Sequence, residues 1–185
     1  MSRKYKFDNT NGIYSITPPL VAKVDLFTKH NYFEIIIDSL RFCQKYKGLV
    51  VHSFCIMTNH LHLMISRNGP NIFEDIMRDF KKYTAVQIIK EIKQSGDSRR
   101  DWMLEIFKKA GINNPNNTHY QIWQQHNHPI ELSDDRMVDQ RLNYIHQNPV
   151  KAGFVERPEE WKNSSASNYL GLGGVLEVEL VYDKL

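Results

Sequence analysis

Residues 49–57 and 60–66 are two apolar, strand-like runs separated only by a turn at Thr58-Asn59. They predict two successive strands, so the fold must contain a β-sheet. His60 and His62 open the second run and share one face of it, because side chains alternate along a strand. Two imidazoles side by side on a rigid strand form half of a divalent-metal site. The alternative is a structural or surface role, since eight histidines in 185 residues also give such triplets by chance.

The chain contains a second triplet of the same kind, His126-Asn127-His128. Pro129 follows it, polar residues surround it, and the neighbouring sequence lacks a strand pattern. We interpret this triplet as a loop without a metal role.

Residues 72–94 have the periodicity of an amphipathic helix. Asn71 can cap its first turn, with Glu74 three residues later as in a capping box, and Gly96 is a stop signal. The apolar positions that recur along one side of this helix are Ile72, Ile76, Phe80, Ile88 and Ile92.

Tyr83 and Gln87 are four residues apart on this predicted helix and therefore share a face. A tyrosine hydroxyl can act as a nucleophile, and a glutamine carbonyl oxygen can bind a hard cation. These two side chains could complete the site that the histidines begin. The alternative is that Tyr83 is a half-buried aromatic residue and Gln87 a solvated polar one.

The two motifs resemble a known family. His60-Leu61-His62 followed by Tyr83-x-x-x-Gln87 resembles the single-tyrosine HUH transposases, also called IS200-like. The C-terminal half resembles the REP-associated tyrosine transposase branch of that family, and the similarity extends over residues 10–170. The segments that carry this second resemblance are Tyr144-Ile145-His146-Gln147-Asn148-Pro149-Val150-Lys151-Ala152-Gly153, Pro158-Glu159-Glu160-Trp161 and Ser164-Ser165-Ala166.

The resemblance implies an enzyme that nicks and rejoins DNA at single-stranded, hairpin or palindromic sequences. In this family a His-hydrophobic-His strand faces a Tyr-x-x-x-Gln helix, so His60, His62 and Gln87 are expected to bind Mg²⁺ or Mn²⁺. Tyr83 is expected to attack the scissile phosphate, giving a 5′-phosphotyrosine link that another 3′-hydroxyl later resolves.

The fold expectation has two sources. The order strand–helix–strand–strand–helix predicts an α+β sandwich, with helices packed on one face of an antiparallel sheet. The resembled family has such a core, of the ferredoxin-like type.

Further residues are candidate DNA contacts. Lys81 and Lys82 adjoin Tyr83 in sequence without sharing its helix face. The ring of Trp123 can stack on unpaired bases. A plain surface role is the alternative for the remaining candidates, which are Arg141, His146 and Lys151.

The charge distribution is more informative than the net charge of +3. Residues 78–100 contain seven Lys or Arg and three Asp or Glu, hence a local net charge of +4 around the predicted nucleophile. A phosphodiester substrate requires such a basic strip. A solvated helix face is the alternative.

The length of 185 residues fits a single transposase domain, with an HUH core over residues 10–95 and a family-specific part over residues 96–185. Cys43 and Cys55 both lie in apolar stretches and are expected to be buried thiols in a reducing cytoplasm. No apolar run reaches membrane-spanning length. The protein is therefore expected in the cytoplasm. The resemblance implies association with the nucleoid, and a second copy of the chain is a further candidate partner.

The remaining elements follow from shorter signals. A first strand is predicted at residues 12–17, and a helix over residues 29–47 is closed by Gly48. A helix over residues 99–110 is closed by Gly111. Ser133 is expected to cap a helix over residues 134–146 that ends at Asn148-Pro149. Residues 175–182 alternate like a final edge strand or an exchanged one.

Two other functions remain open from the sequence. One is a non-catalytic nucleic-acid-binding module, because ferredoxin-like sheets also bind RNA. The other is a metal-dependent hydrolase, in which His60 and His62 activate water and Tyr83 is incidental. A covalent protein–DNA adduct separates cleavage by tyrosine from hydrolysis.

Overall fold

The computed structural model describes residues 7–115 and 119–182, and a four-stranded antiparallel sheet lies at its centre. Its strands are β1 (Tyr14–Ile16), β2 (Leu49–Ile56), β3 (Leu61–Arg67) and β4 (Ile130–Glu131), in the order β2-β3-β1-β4. The helices are α1 (His30–Lys47), α2 (Phe73–Gln94), α3 (Arg100–Ile112), α4 (Asp135–Lys151) and the short α5 (Ala166–Tyr169). This order and pairing confirm the predicted ferredoxin-like α+β sandwich.

The hairpin of β2 and β3 forms the part of the sheet that carries the histidines. Cys55 pairs with His62 and Ile56 with Leu61, and the strands reverse through Thr58 and Asn59 as predicted. Before this hairpin, α1 ends where Gly48 adopts a left-handed φ of 72°. A side chain at Gly48 would collide with the Asn68 backbone, so this end of the hairpin requires glycine.

The two faces of the sheet are covered differently. Leu61, Leu63 and Ile65 of β3 face α1 and α2 and join the main hydrophobic core. Met64 faces the other way and packs with Ile145 of α4 in a second, smaller core. The prediction placed helices on one face only, and α4 is a further helix on the opposite face. His62, which alternates with Leu61 and Leu63, lies on the α4 side.

The predicted break of the fourth helix at Asn148-Pro149 does not occur. Asp134, not Ser133, caps α4 by accepting a 2.8 Å hydrogen bond from the Met137 amide. Pro149 lies within the last turn and the helix continues to Lys151. A proline so near a helix end removes an intrahelical hydrogen bond without interrupting a long following segment. Asn148 therefore stays on the same helix as Tyr144.

Three other local predictions are corrected. Asn71 does not cap α2, because its side-chain amide donates to the Lys47 carbonyl at 3.1 Å and Ile72 occupies the cap position. Gly111 lies inside α3, which continues to Ile112. Residues 175–182 are described throughout and form no strand. They contact β2 through the Glu179 amide, which donates to the Val51 carbonyl at 2.9 Å.

The cysteine prediction is confirmed: Cys43 and Cys55 are free and buried, and burial raises the pKa of the Cys43 thiol to about 11. Of the helices in the described ranges, none combines the length and apolarity needed to cross a bilayer.

Candidate active site

The side chains of His60 and His62 converge on one point. Their Nε2 atoms are 3.0 Å apart and the two rings are perpendicular. Each Nδ1 atom faces away from that point and meets an oxygen: Asn59 Oδ1 lies 2.7 Å from His60, and Thr17 Oγ1 lies 3.2 Å from His62. Contacts at the Nδ1 atoms thus orient the two rings, and both Nε2 atoms are directed into the site.

Asp25 fixes the orientation of the group behind His60. Its Oδ1 atom accepts hydrogen bonds from the Asn59 side-chain amide at 2.9 Å and from the Thr58 hydroxyl at 2.6 Å. Because the Asn59 amide nitrogen is committed to Asp25, its carbonyl oxygen is the atom that faces His60. His60 therefore donates from Nδ1, and its Nε2 atom presents a lone pair.

Electrostatics keep both imidazoles neutral. Burial lowers the pKa of His62 to about 3, assisted by the neighbouring His60 and by Arg141, while the nearby Asn148 side chain acts in the opposite direction. Burial, followed by the charge of Lys23, lowers the pKa of His60. A neutral imidazole is the form that binds metal ions, so both side chains are in the ligating state at neutral pH.

Helix α4 brings a tyrosine and an asparagine to the histidine pair. The Tyr144 ring packs edge-on against His62, with ring centroids 5.3 Å apart, and 39% of Tyr144 remains exposed. The Asn148 amide nitrogen donates to the Tyr144 carbonyl at 2.6 Å. Since the nitrogen of Asn148 is used within the helix, its carbonyl oxygen is the atom available to a ligand near His62.

Two basic residues border Tyr144 on the same helix. The Arg141 guanidinium lies 5.2 Å from the centre of the Tyr144 ring and the Lys151 Nζ atom lies 5.6 Å from it. Spacings of three, four and three residues place these side chains along one face of α4. We call Arg141, Tyr144, Asn148 and Lys151 the α4 stripe. It combines a hydroxyl, an amide oxygen and two cations beside the histidine pair.

Tyr83 and Gln87 are not brought to the histidines. They lie on α2, whose apolar side packs against the Leu61–Leu63–Ile65 face of the sheet, whereas His62 is on the other face. Tyr83 is 55% exposed, and neither side chain hydrogen-bonds to His60 or His62. The predicted grouping of these two residues with the histidines is therefore not present in the structure.

The other candidate DNA contacts include both buried and exposed side chains. Trp123 is only 5% exposed and its indole nitrogen donates to the Thr84 hydroxyl at 2.9 Å, so its ring is a core residue and not a stacking platform. His146 is buried as well. Lys82 is exposed, while the Lys81 ammonium donates to the Gln124 carbonyl at 2.8 Å. Burial lowers the pKa of Lys81 to about 8.

Two cations of the basic strip of residues 78–100 are engaged in ion pairs. Arg78 is paired with Asp75 and Asp79. Arg99 is paired with the buried Asp97 and holds the pKa of that carboxyl far below its usual range. These cations are engaged in local ion pairs, which agrees with the alternative of a solvated helix face. The second triplet, His126 and His128, is exposed in a loop.

The residues at the site fit a divalent cation. Two donors on an octahedral ion with bonds of about 2.1 Å lie about 3 Å apart, which is the Nε2–Nε2 separation of the histidine pair. When His62 Nδ1–H donates a hydrogen bond to Thr17 Oγ1, the Nε2 lone pairs of His60 and His62 point at each other, an arrangement that a cation stabilises. No cluster of three His, Cys, Asp or Glu side chains occurs in residues 7–115 and 119–182. A third protein ligand would therefore be an amide oxygen such as that of Asn148.

The sequence contained the signal for Tyr144 and Asn148. These two residues have the same i, i+4 spacing as Tyr83 and Gln87, and they lie inside the ten-residue segment that most resembles the REP-associated branch. The predicted helix break at Pro149 obscured the pair, because it put Asn148 outside the helix that carries Tyr144.

Comparisons with known proteins agree with the fold and the motifs. The family model described as "Transposase IS200 like" matches residues 20–109, a range that includes the histidine pair. A protein of Haemophilus influenzae named as a REP-associated tyrosine transposase is 27% identical over 164 residues, covering 87% of this chain and 84% of the relative. Both similarities are to tyrosine transposases, and they support an enzyme that acts on DNA. This family generally uses a divalent metal ion.

A solved structure of a REP-associated tyrosine transposase bound to a REP hairpin has the same fold. It superimposes with a TM-score of 0.67 at 16% identity, covering 100% of this chain and 95% of that chain. At this level of identity the likeness shows the shared fold.

Proposed function

We propose that this transposase cleaves and rejoins single-stranded DNA beside a hairpin, with Tyr144 as the nucleophile. The observation that carries the proposal is the packing of the Tyr144 ring against His62, on a helix face that also bears Asn148 and two cations. Tyr83, the nucleophile expected from the sequence, lies on the opposite side of the sheet. Tyr144 therefore replaces it in the proposal, and Asn148 replaces Gln87.

The reaction is an exchange of phosphate esters. The Tyr144 oxygen attacks the scissile phosphorus, a bond between the phosphorus and the phenolic oxygen forms, and the bond to the 3′-oxygen breaks. The phenol loses its proton and the departing 3′-oxygen gains one, so a free 3′-hydroxyl and a 5′-phosphotyrosine result. A 3′-hydroxyl of another DNA end then attacks the phosphotyrosine and releases Tyr144. Rejoining therefore needs no external energy source.

His60, His62 and Asn148 would hold the cation, through two imidazole nitrogens and one amide oxygen. A bound Mg²⁺ or Mn²⁺ would polarise the scissile phosphate and neutralise charge that develops on it. Imidazole ligands suit Mn²⁺ better than Mg²⁺, which prefers oxygen donors. Arg141 and Lys151, which border the Tyr144 ring, would bind phosphates next to the cleaved one.

The hairpin as substrate is supported by the related structure, whose protein is bound to a REP hairpin. The exposed edge of Tyr144 also suits unpaired DNA, whose scissile phosphate can adopt an in-line geometry at low cost. An enzyme that acts on such a substrate is expected in the cytoplasm, at the nucleoid. A homodimer stays a prediction, which light scattering with and without DNA would test.

A matched pair of tyrosine variants tests the proposal. Tyr144→Phe is expected to abolish cleavage and covalent adduct formation on a labelled hairpin with a single-stranded flank, while hairpin binding stays within about three-fold of wild type. Tyr83→Phe is the control and should form adduct at the wild-type rate. Denaturing gels separate adduct, cleaved DNA and intact DNA.

The same gels distinguish the alternatives. Cleavage without any adduct would favour the metal-dependent hydrolase, and binding without cleavage at any metal concentration would favour the non-catalytic module. Adduct formation by Tyr144→Phe that is lost in Tyr83→Phe would return the nucleophile to α2.

A further inference from the structure

A buried polar cluster joins α4 to the sheet on the side of the helix away from Tyr144. His146 Nε2 lies 2.8 Å from Ser165 Oγ and 3.2 Å from Ser53 Oγ, and the two hydroxyls are 3.1 Å apart. Ser53 and Ser165 are fully buried and His146 is 9% exposed. We call these three residues the His146 cluster. It connects β2, α4 and the residue that precedes α5.

The cluster is anchored in the sheet. The Phe54 amide donates to Ser165 Oγ at 2.9 Å, and the Ser165 amide donates to the Phe54 carbonyl at 3.0 Å. Ser53 is two residues before Cys55, which is the register partner of His62. The His146 cluster and the histidine pair are thus built on the same two paired strands.

The position of His146 on α4 allows the His146 cluster to fix the rotation of this helix about its own axis. At about 100° per residue, His146 lies about 160–200° around the axis from Tyr144 and Asn148. Between them lie the apolar contacts of Val138 and Ile145 with the second core. Apolar contacts are non-directional and hold the helix against the sheet without fixing its rotation. Hydrogen bonds from His146 on one side of the helix fix the direction in which Tyr144 and Asn148 point on the other side.

The geometry of the reaction is sensitive to that rotation. Turning a helix by about 10° moves an atom about 8 Å from its axis by more than about 1 Å. A misplacement of about 1 Å at a reacting group can cost on the order of 100-fold in rate. The Tyr144 hydroxyl extends well beyond the helix backbone, so it is subject to the full displacement.

We infer that His146 is a positioning residue, whose hydrogen bonds to Ser53 and Ser165 set the rotation of α4 so that Tyr144 and Asn148 face His62. The inference rests on the proposed function for the role of Tyr144. It also explains why two separate parts of the family resemblance, the segment around His146 and Ser164-Ser165-Ala166, meet in space. It replaces the DNA contact expected for His146.

The test compares His146→Leu, which removes the hydrogen bonds at similar side-chain size, with His146→Gln, whose amide can occupy the place of Nε2. Single-turnover cleavage is expected to fall at least 30-fold in His146→Leu, with hairpin affinity within about three-fold of wild type. His146→Gln should recover to within about five-fold of the wild-type rate. Mn²⁺ affinity, followed by electron paramagnetic resonance without DNA, should fall in His146→Leu as far as in Asn148→Ala, and no further in the double variant.

Ser165→Ala and Ser53→Ala give the same test with His146 intact, should His146→Leu fail to fold. Each is expected to slow cleavage, and adding Ser165→Ala to a soluble His146 variant should bring little further loss. Folded His146→Leu or Ser165→Ala protein with wild-type cleavage and Mn²⁺ affinity would overturn the inference. If Tyr144→Phe still abolishes cleavage in that case, the proposed function stands and only the positioning role fails.

Discussion

At the scale of single residues, each candidate site motif occurs more than once in the chain. The structural surroundings of each copy show which one can form the site. There are two His-x-His triplets, and α2 and α4 each carry a tyrosine followed by an amide four residues later. The strand pattern around His60 and His62 correctly distinguished the converging histidines from the loop copy, because alternation along a strand is visible in sequence. The choice between Tyr83 and Tyr144 depends on which face of the sheet a helix covers, and local periodicity does not contain that information.

The histidine pairs provide a direct comparison of two identical spacings. His60→Ala and His62→Ala should each reduce metal-dependent cleavage at least 100-fold, because each removes a converging Nε2 atom. His126→Ala and His128→Ala should keep wild-type activity, since these side chains are exposed in a loop. Cleavage is measured across an Mn²⁺ titration. An essential His126 or His128 would contradict the assignment of the metal site.

Asp25 should support the site without touching it. Its carboxylate orients Asn59, which in turn orients His60, and loss of such an outer partner typically costs about 10–100-fold in metal affinity. Asp25→Ala is therefore expected to weaken Mn²⁺ binding by about 10-fold, and Asp25→Asn by less, because an amide oxygen can still accept from Asn59. Asp38→Ala, on the exposed side of α1, is the control. Unchanged Mn²⁺ affinity in folded Asp25→Ala would exclude this role.

At the scale of elements, periodic helices and strands were predictable and their ends were not. The limits of α1, β2 and β3 match the sequence pattern to within two residues, because buried apolar stripes and Gly48 determine them locally. The end of α4 and the inclusion of Gly111 in α3 depend on tertiary contacts. Proline and glycine were interpreted as breakers, whereas here one is tolerated in a last turn and the other allows a close approach of the backbone.

Gly111 shows such an approach and can be tested by stability. A Cβ atom there would lie 2.6 Å from the His119 carbonyl oxygen, which is backbone and cannot move cheaply. Gly111→Ala is expected to destabilise the fold by about 1–3 kcal/mol through overpacking. Gly96→Ala, where a Cβ meets nothing within 4 Å, should be neutral or stabilising by up to about 1 kcal/mol. Urea unfolding of both variants decides the comparison, and equal stability would contradict the close contact.

At the scale of the whole molecule, a ferredoxin-like sheet carries a second, thinner layer on the face that bears His62. The main core with α1 and α2 supplies most of the buried apolar surface, whereas the α4 layer is held by a small apolar group and the polar His146 cluster. The antiparallel sheet covered by helices was predictable from the succession of elements. The second layer was not, because the sequence of α4 gives its amphipathic face without showing which side of the sheet receives it.

Buried neutral histidines make the stability of the whole fold depend on pH. The pKa of His62 is lowered to about 3 and that of His146 to about 4 in the folded chain, against about 6.5 in an unfolded one. As the pH falls below about 6.5 the unfolded chain takes up these protons first, so stability is lost progressively from about pH 6.5 to about pH 3 and is fully present above about pH 7. Urea midpoints with EDTA present should fall accordingly. His62→Gln should flatten this dependence, whereas the exposed His126→Gln should not, and an unchanged slope in His62→Gln would contradict the buried neutral state.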